Sequence, residues 1–146
     1  MQLLVATDLS VLSDQVVSFA REMAMSLGAR VWLIHVADPD PDFVGYEAGP
    51  QTVRDSVAAT FHKEHRQLQG CADQLRADGI DCTALLVQGA VVETLLHEAE
   101  KLAVQLIVMG SHGKGAVKKL LVGSTSEGVL HKATVPVLLV PTHGRS

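Results

Sequence analysis

The sequence predicts an α/β protein built on a parallel sheet with helices on both faces. Three observations carry this. Short runs such as residues 2–7 are apolar on both faces, as strands covered on both sides are. Longer segments between them repeat apolar residues at helical spacing. The two kinds of segment alternate as βαβαβαβαβ, which demands parallel strands and right-handed crossovers.

The first run, residues 2–7, stops at Asp8. A helix follows, for which Ser10 or Ser13 is the expected cap. It carries Val16, Ala20, Met23, Ala24 and Leu27 on one face and ends at Gly28. Residues 31–36 read as the second strand, with His35 as a core residue near its end. Residues 37–50 hold Pro39, Pro41, Pro50, Gly45 and Gly49 among aspartates, the composition of a mobile loop. From about 51 to 77 runs a polar helix with a narrow stripe of Val53, Val57, Phe61, Leu68 and Leu75, ended by Gly79. Its His62, Glu64 and His65 lack the His-Glu-x-x-His order and read as a solvated face. Residues 82–87 form strand three. Val92, Leu95, Leu96, Ala99, Leu102 and Ala103 mark a third long helix, and residues 106–109 a fourth strand. A glycine-rich stretch, 110–123, leads into a short helix, and residues 137–140 form strand five. Met23, Met25 and Met109 read as core filler or pocket lining.

At 146 residues, with 47% hydrophobic residues, the chain suits one domain spanning 1–146 and is too apolar for disorder. Aromatics at 3% argue against a base-stacking nucleic-acid platform. The net charge of −4 argues against DNA binding. The strongest apolar run, residues 135–140, falls far short of the roughly 20 residues that span a bilayer. Without a signal-peptide pattern at the N-terminus, Cys71 and Cys82 read as reduced thiols of a cytoplasmic protein. Their spacing is not that of metal ligands. Charge is unevenly spread. Residues 1–100 hold 6 Lys/Arg against 15 Asp/Glu, whereas residues 101–146 hold 6 against one, Glu127. A small anionic ligand accounts for that basic tail; so does an idle basic face.

In sheets of this kind ligands bind beyond the carboxyl ends of the strands, where strand order reverses. Thr7-Asp8, Val36-Ala37 and Met109-Gly110 occupy those ends. The densest motif lies beside the last of them: Met109-Gly110-Ser111-His112-Gly113-Lys114-Gly115, then Gly123-Ser124-Thr125. Glycines admit positive φ and close approach of backbone to a ligand. Ser124 and Glu127 have the spacing of a capping box. The helix start beyond them favours an anion. A Walker A loop is excluded, since Val108 and Gly115 stand where it needs Gly and Ser or Thr. A dinucleotide fingerprint is excluded by Lys118. A glycine turn with no ligand is the competing reading. Lys114 or Lys118 is the expected long-range phosphate partner, with Lys119 and Lys132 on the surface.

The spacing Gly110-x-x-Gly113, nine residues, then Gly123-Ser124 resembles the glycine signature of the universal stress protein family, in its nucleotide-binding branch. Strand one ending Ala6-Thr7-Asp8, His35-Val36 closing strand two, and residues 135–141 as the last strand resemble that family too, so the likeness covers residues 2–141. It implies an open five-stranded parallel sheet of Rossmann-like, adenine nucleotide α-hydrolase-like type, in strand order 3-2-1-4-5. It also implies ATP, or ADP or AMP, at the switch point. By analogy Ala6, Thr7 and Asp8 lie near ribose or adenine, and Val36 and Ala37 line the adenine pocket. Met109, Gly110, His112 and Gly113 wrap ribose and phosphates, and Gly123, Ser124 and Thr125 donate to phosphate oxygens. Mg²⁺ is then held through the phosphates rather than by protein side chains. The likeness further implies a homodimer through residues 135–141, an apolar run bracketed by Pro136 and Pro141, and a role in stress resistance through an unidentified protein partner.

No Ser-His-Asp order, activated cysteine or acidic metal cluster is present in the sequence, and His112 has no carboxylate nearby in sequence to orient it. The expectation is a regulatory module with at most weak ATP hydrolysis. A slow ATPase or adenylate-forming enzyme on the same sheet is the second reading, although the Ser-Gly-Gly-x-Asp-Ser loop of such enzymes is replaced by Asp8-Leu9-Ser10-Val11. An interaction protein that binds no nucleotide is the third.

Overall fold

A strand apolar on both faces must be covered twice, and the computed structural model of the chain shows both covers. It describes residues 1–37, 51–111 and 123–142, without the side chains of 51–57. The elements run β1 (Gln2–Ala6), α1 (Ser13–Leu27), β2 (Arg30–Ala37), α2 (Gln51–Ala77), β3 (Cys82–Gln88), α3 (Val91–Lys101), β4 (Leu106–Gly110), α4 (Ser124–Lys132) and β5 (Val137–Val140). All strand pairs are parallel, and the sheet order is β3-β2-β1-β4-β5. Chain order reverses between β1 and β4, which are direct neighbours. The loop expected over 37–50 and the residues His112, Gly113, Lys114, Gly115, Lys118 and Lys119 lie outside the described residues, apart from Ala37.

Alternation along each strand splits the apolar residues into two cores. Leu3, Val5, Val31, Leu33 and Val108 pack with Val16 and Ala20 of α1 and Leu68 and Leu75 of α2. Leu4, Ile34, Val36, Ile107 and Met109 pack on the other face with Leu95 and Ala99 of α3 and Val129 of α4. Leu3, Leu4 and Val5 are fully buried, so neither face of β1 meets water. Of the methionines, Met109 is buried and Met23 packs against the first core, but Met25 is 54% exposed and fills nothing.

Three helix ends differ from expectation. Neither Ser10 nor Ser13 caps α1. Leu12 holds the cap position, and the first amides bond three residues back, Asp14 to Val11 and Gln15 to Leu12. Helix α3 stops at Lys101, with Leu102 at its C-cap, because Ala103 turns into the left-handed region (φ 53) and Val104 N donates to Ala99 O. Helix α4 has Gly123 at its N-cap, with no side-chain cap, so the expected capping box does not form. The one-residue offset makes Ser124 the first helical residue and leaves Glu127 exposed, 3.6 Å from His131. Close packing of α3 on α4 depends on Gly128, where a Cβ would come within 2.9 Å of Val92 Cγ2.

Candidate functional site

The carboxyl ends of β1, β2 and β4 open into a cavity of about 630 Å³. Its floor and walls come from the strand ends Ala6, Val36, Ala37, Met109 and Gly110, the turn Thr7-Asp8-Leu9-Ser10, and Thr125 and Ser126 at the start of α4. Helix α2 adds Lys63, Glu64 and Gln67, and α3 adds Val91 and Leu95. The switch point between β1 and β4 thus coincides with the cavity.

The turn after β1 is rigid by construction. Thr7 N donates to Ile34 O at 2.9 Å, which locks the strand end to β2. Leu9 N donates to Thr7 Oγ1, the Thr7 hydroxyl donates to Ser13 Oγ (2.9 Å), and Ser13 Oγ donates to Ser10 O (2.7 Å). Such a chain of hydroxyls polarises itself along its length. Asp8 Oδ1 accepts from both the amide and the hydroxyl of Ser10. Between them Leu9 is held at φ 63. A left-handed leucine costs about 1–2 kcal/mol, and the bonds on either side of it hold it there.

The other wall is the start of α4. Ser126, 2% exposed, donates from its hydroxyl to Gly110 O at 2.6 Å and so ties the helix to the end of β4. Gly123 N donates to Ser111 O. The first amides of a helix have no partner inside it, and with glycine at the N-cap no side chain reaches back to take them. Among the described residues, the failed capping box leaves the helix start without a side-chain cap, an arrangement that suits an anion.

Of the residues expected at the site, Ala6, Thr7, Asp8, Val36, Ala37, Met109, Gly110 and Thr125 line the cavity. Gly123 and Ser124 sit next to it in sequence, as N-cap and first residue of α4, but are not among its lining residues. His112 and Gly113 lie outside the described residues.

Sequence reasoning missed the contribution of α2. His35 is not simply core: its side chain is 13% exposed and lines the cavity. Its Nδ1 lies 2.9 Å from Thr7 O and its Nε2 2.6 Å from Glu64 Oε2. Glu64 therefore faces inward, unlike the solvated face expected of it. The helical stripe held a signal: Glu64 lies three residues after Phe61 and four before Leu68, so it shares the apolar face.

Neither cysteine belongs to the site. Both thiols are free. Burial pushes the Cys71 thiol up, and pushes Cys82 up to about 11, against a smaller downward pull from Arg76. Among the described residues no cluster of His, Cys, Asp and Glu could hold a metal, and no helix is long and apolar enough to cross a membrane.

A model of the universal stress protein family matches residues 1–141. The chain belongs to that family. A universal stress protein of Thermus aquaticus is 33% identical over 144 residues, covering 94% of this chain and 96% of the relative. Universal stress protein A homolog 1 of Coxiella burnetii is 34% identical over 140 residues, covering 94% of each. Among solved structures, the Methanocaldococcus jannaschii universal stress protein MJ0577 superposes with a TM-score of 0.82 at 26% identity, covering 99% of this chain and 97% of that one. A universal stress protein solved in complex with cAMP shares the fold at a TM-score of 0.72 and 23% identity, covering 98% of each chain. One from Archaeoglobus fulgidus, solved in complex with dAMP, does so at 0.66 and 21%, covering 95% of this chain and 96% of that one.

Proposed function

We propose that this universal stress protein binds ATP in the cavity at the switch point and acts as a nucleotide-dependent regulatory module. The observation that carries the reading is convergence. Residues from three strand ends and one helix start, chosen from sequence, line a single cavity whose far wall is a helix N-terminus without a side-chain cap. Two neighbours of the same fold were solved with adenine nucleotides, cAMP and dAMP.

In this reading adenine lies against Val36 and Ala37, where main-chain groups at the end of β2 meet its edge, and Asp8 faces the ribose. Gly110, together with His112 and Gly113 beyond it, lets backbone approach the phosphates, and the amides at Ser124 and Thr125 bind their oxygens. Mg²⁺ enters with the phosphates and keeps most of its waters. The cavity carboxylates fit that role, since Asp8 accepts from Ser10 and Glu64 is engaged by His35. The residues named bind and orient. Weak ATP hydrolysis is the most this reading expects, since Glu127, the one acid after residue 100, is exposed on α4 beside His131. The chain works in the cytoplasm as a homodimer through residues 135–141. Support for that contact is that β5 is an outer strand of the sheet, paired with β4 alone among the described residues.

Calorimetry with ATP and Mg²⁺ tests the reading. One nucleotide per chain is expected, with Gly113→Val lowering affinity at least tenfold. Unchanged affinity in that variant removes the glycine loop from the site. Adenine nucleotide released on denaturing the purified protein would show that the site is filled in the cell.

A further inference from the structure

His35 is a partly buried titratable group that the nucleotide reading leaves unused. Its ring faces α2, and both of its nitrogens are engaged. Nδ1 meets the carbonyl oxygen of Thr7, which only accepts, so Nδ1 carries a hydrogen. Nε2 meets Glu64 Oε2 at 2.6 Å, and an ionised carboxylate also only accepts. Opposite an ionised Glu64, both contacts are hydrogen bonds only when each nitrogen carries a proton, a state in which the ring is an imidazolium and the pair is neutral as a whole. Removing that proton would set the Nε2 lone pair against a carboxylate oxygen at 2.6 Å, a repulsive contact that the arrangement could not keep.

The pair has a particular place. It joins α2 to the very strand ends that form the floor of the cavity, and Glu64 and His35 both line it. Among the described residues, other titratable groups facing it are few. Asp8 lies in the turn after β1, and Lys63 stands beside Glu64 on α2. Strand β3 sets Leu86 next to His35, and α1 presents Ser13 and Val16. Asp8 is a second carboxylate on the cavity lining, and Lys63 is a cation on it.

We propose that Glu64 is a positioning residue: it holds His35 as an imidazolium and thereby fixes α2 as one wall of the nucleotide cavity, so that nucleotide binding is coupled to a proton held by this pair. The inference rests on the nucleotide reading above and adds to it a pH dependence.

Two measurements on the full chain test it. The first is nitrogen-resolved NMR of the histidine rings in the nucleotide-free protein. The second is titration with ATP under saturating Mg²⁺, a probe whose charge stays fixed above mildly acidic pH. The native chain is expected to show His35 protonated at both nitrogens, and an affinity that falls about tenfold between about pH 6 and pH 9. In Glu64→Gln the amide donates to a neutral ring, so the link survives without the extra proton. That variant should show a proton on Nδ1 alone and an affinity flat with pH. In Glu64→Ala the wall is lost and affinity is low at every pH. An unprotonated Nε2 in the native chain at about pH 6, or an equal pH slope in Glu64→Gln, overturns the proposal. A chain that binds ATP at no pH overturns the nucleotide reading and the coupling together, and a persisting imidazolium signal tells that outcome from failure of the pair itself.

Discussion

The two ends of the one sheet are built to opposite purposes. At the amino ends of the strands the chain closes on itself. Arg30 N donates to Met1 O, Gln105 N to Gln2 O, Val31 N to Asp81 O and Ile107 N to Pro136 O. Trp32 Nε1 donates to Gln2 Oε1 at 2.8 Å, and the Arg30 guanidinium stacks 4.1 Å from the Trp32 ring centre. At the carboxyl ends the same strands splay into a polar cavity held by hydroxyls, one strained leucine and a histidine–glutamate pair. Parallel strands force this division. Every loop that returns the chain lies at one end or the other, and a helix start arrives beside the carboxyl ends, where its amides face outward. The apolar packing lies in the sheet and its closed end, and the proposed nucleotide site lies at the open one.

Substitutions that separate the two ends sharpen that contrast. The largest effect on stability is expected at Leu3→Ala, a fully buried side chain near the closed end, which should cost about 2–5 kcal/mol in urea unfolding while folded protein keeps its ATP affinity. Asp8→Ala should do the reverse, lowering ATP affinity about tenfold or more, equivalent to about 1.4 kcal/mol, with a smaller change in unfolding midpoint. Gly128→Val drives a side chain into Val92 between α3 and α4 and should cost about 1–3 kcal/mol by the same unfolding assay. The thiols, Cys71 on α2 and Cys82 on β3, are a kinetic probe of the packing of that helix on the sheet. Because burial raises both, and Cys82 to about 11, a disulfide reagent at mildly alkaline pH should label the folded chain slowly and the unfolded chain at once. The smallest effect belongs to the surface pair Arg21–Asp78. The Arg21 hydrogen bond holds the Asp78 carboxyl below its usual range, so its contribution is present above the ordinary aspartate range and fades as pH falls through the lowered value. Arg21→Ala should therefore lower Tm slightly at neutral pH and not at all in strong acid.

Much of this architecture is legible in the chain. The long helix reads as residues 51–77 and is found as Gln51–Ala77, because its apolar stripe and the glycine beyond it are local signals. Strand five and the start of strand three are equally plain. The caps were not, since a serine beside a glycine can stand at the cap or one residue inside it, and only the path of the incoming chain decides. Gly123 takes the cap and Ser124 the first turn. The site was half legible. Strand ends and glycines mark positions that the sheet must bring together. The stripe on α2 marks Glu64 as inward-facing, but its pairing with His35, 29 residues away in sequence, depends on how α2 lies across β2.

A crystal structure of the chain grown with excess ATP and Mg²⁺ tests the central claim most directly. The account predicts adenine against Val36 and Ala37 and the phosphates at the start of α4, beside Gly123 to Thr125. Solvent alone in that cavity, or a nucleotide bound elsewhere on the surface, would contradict it.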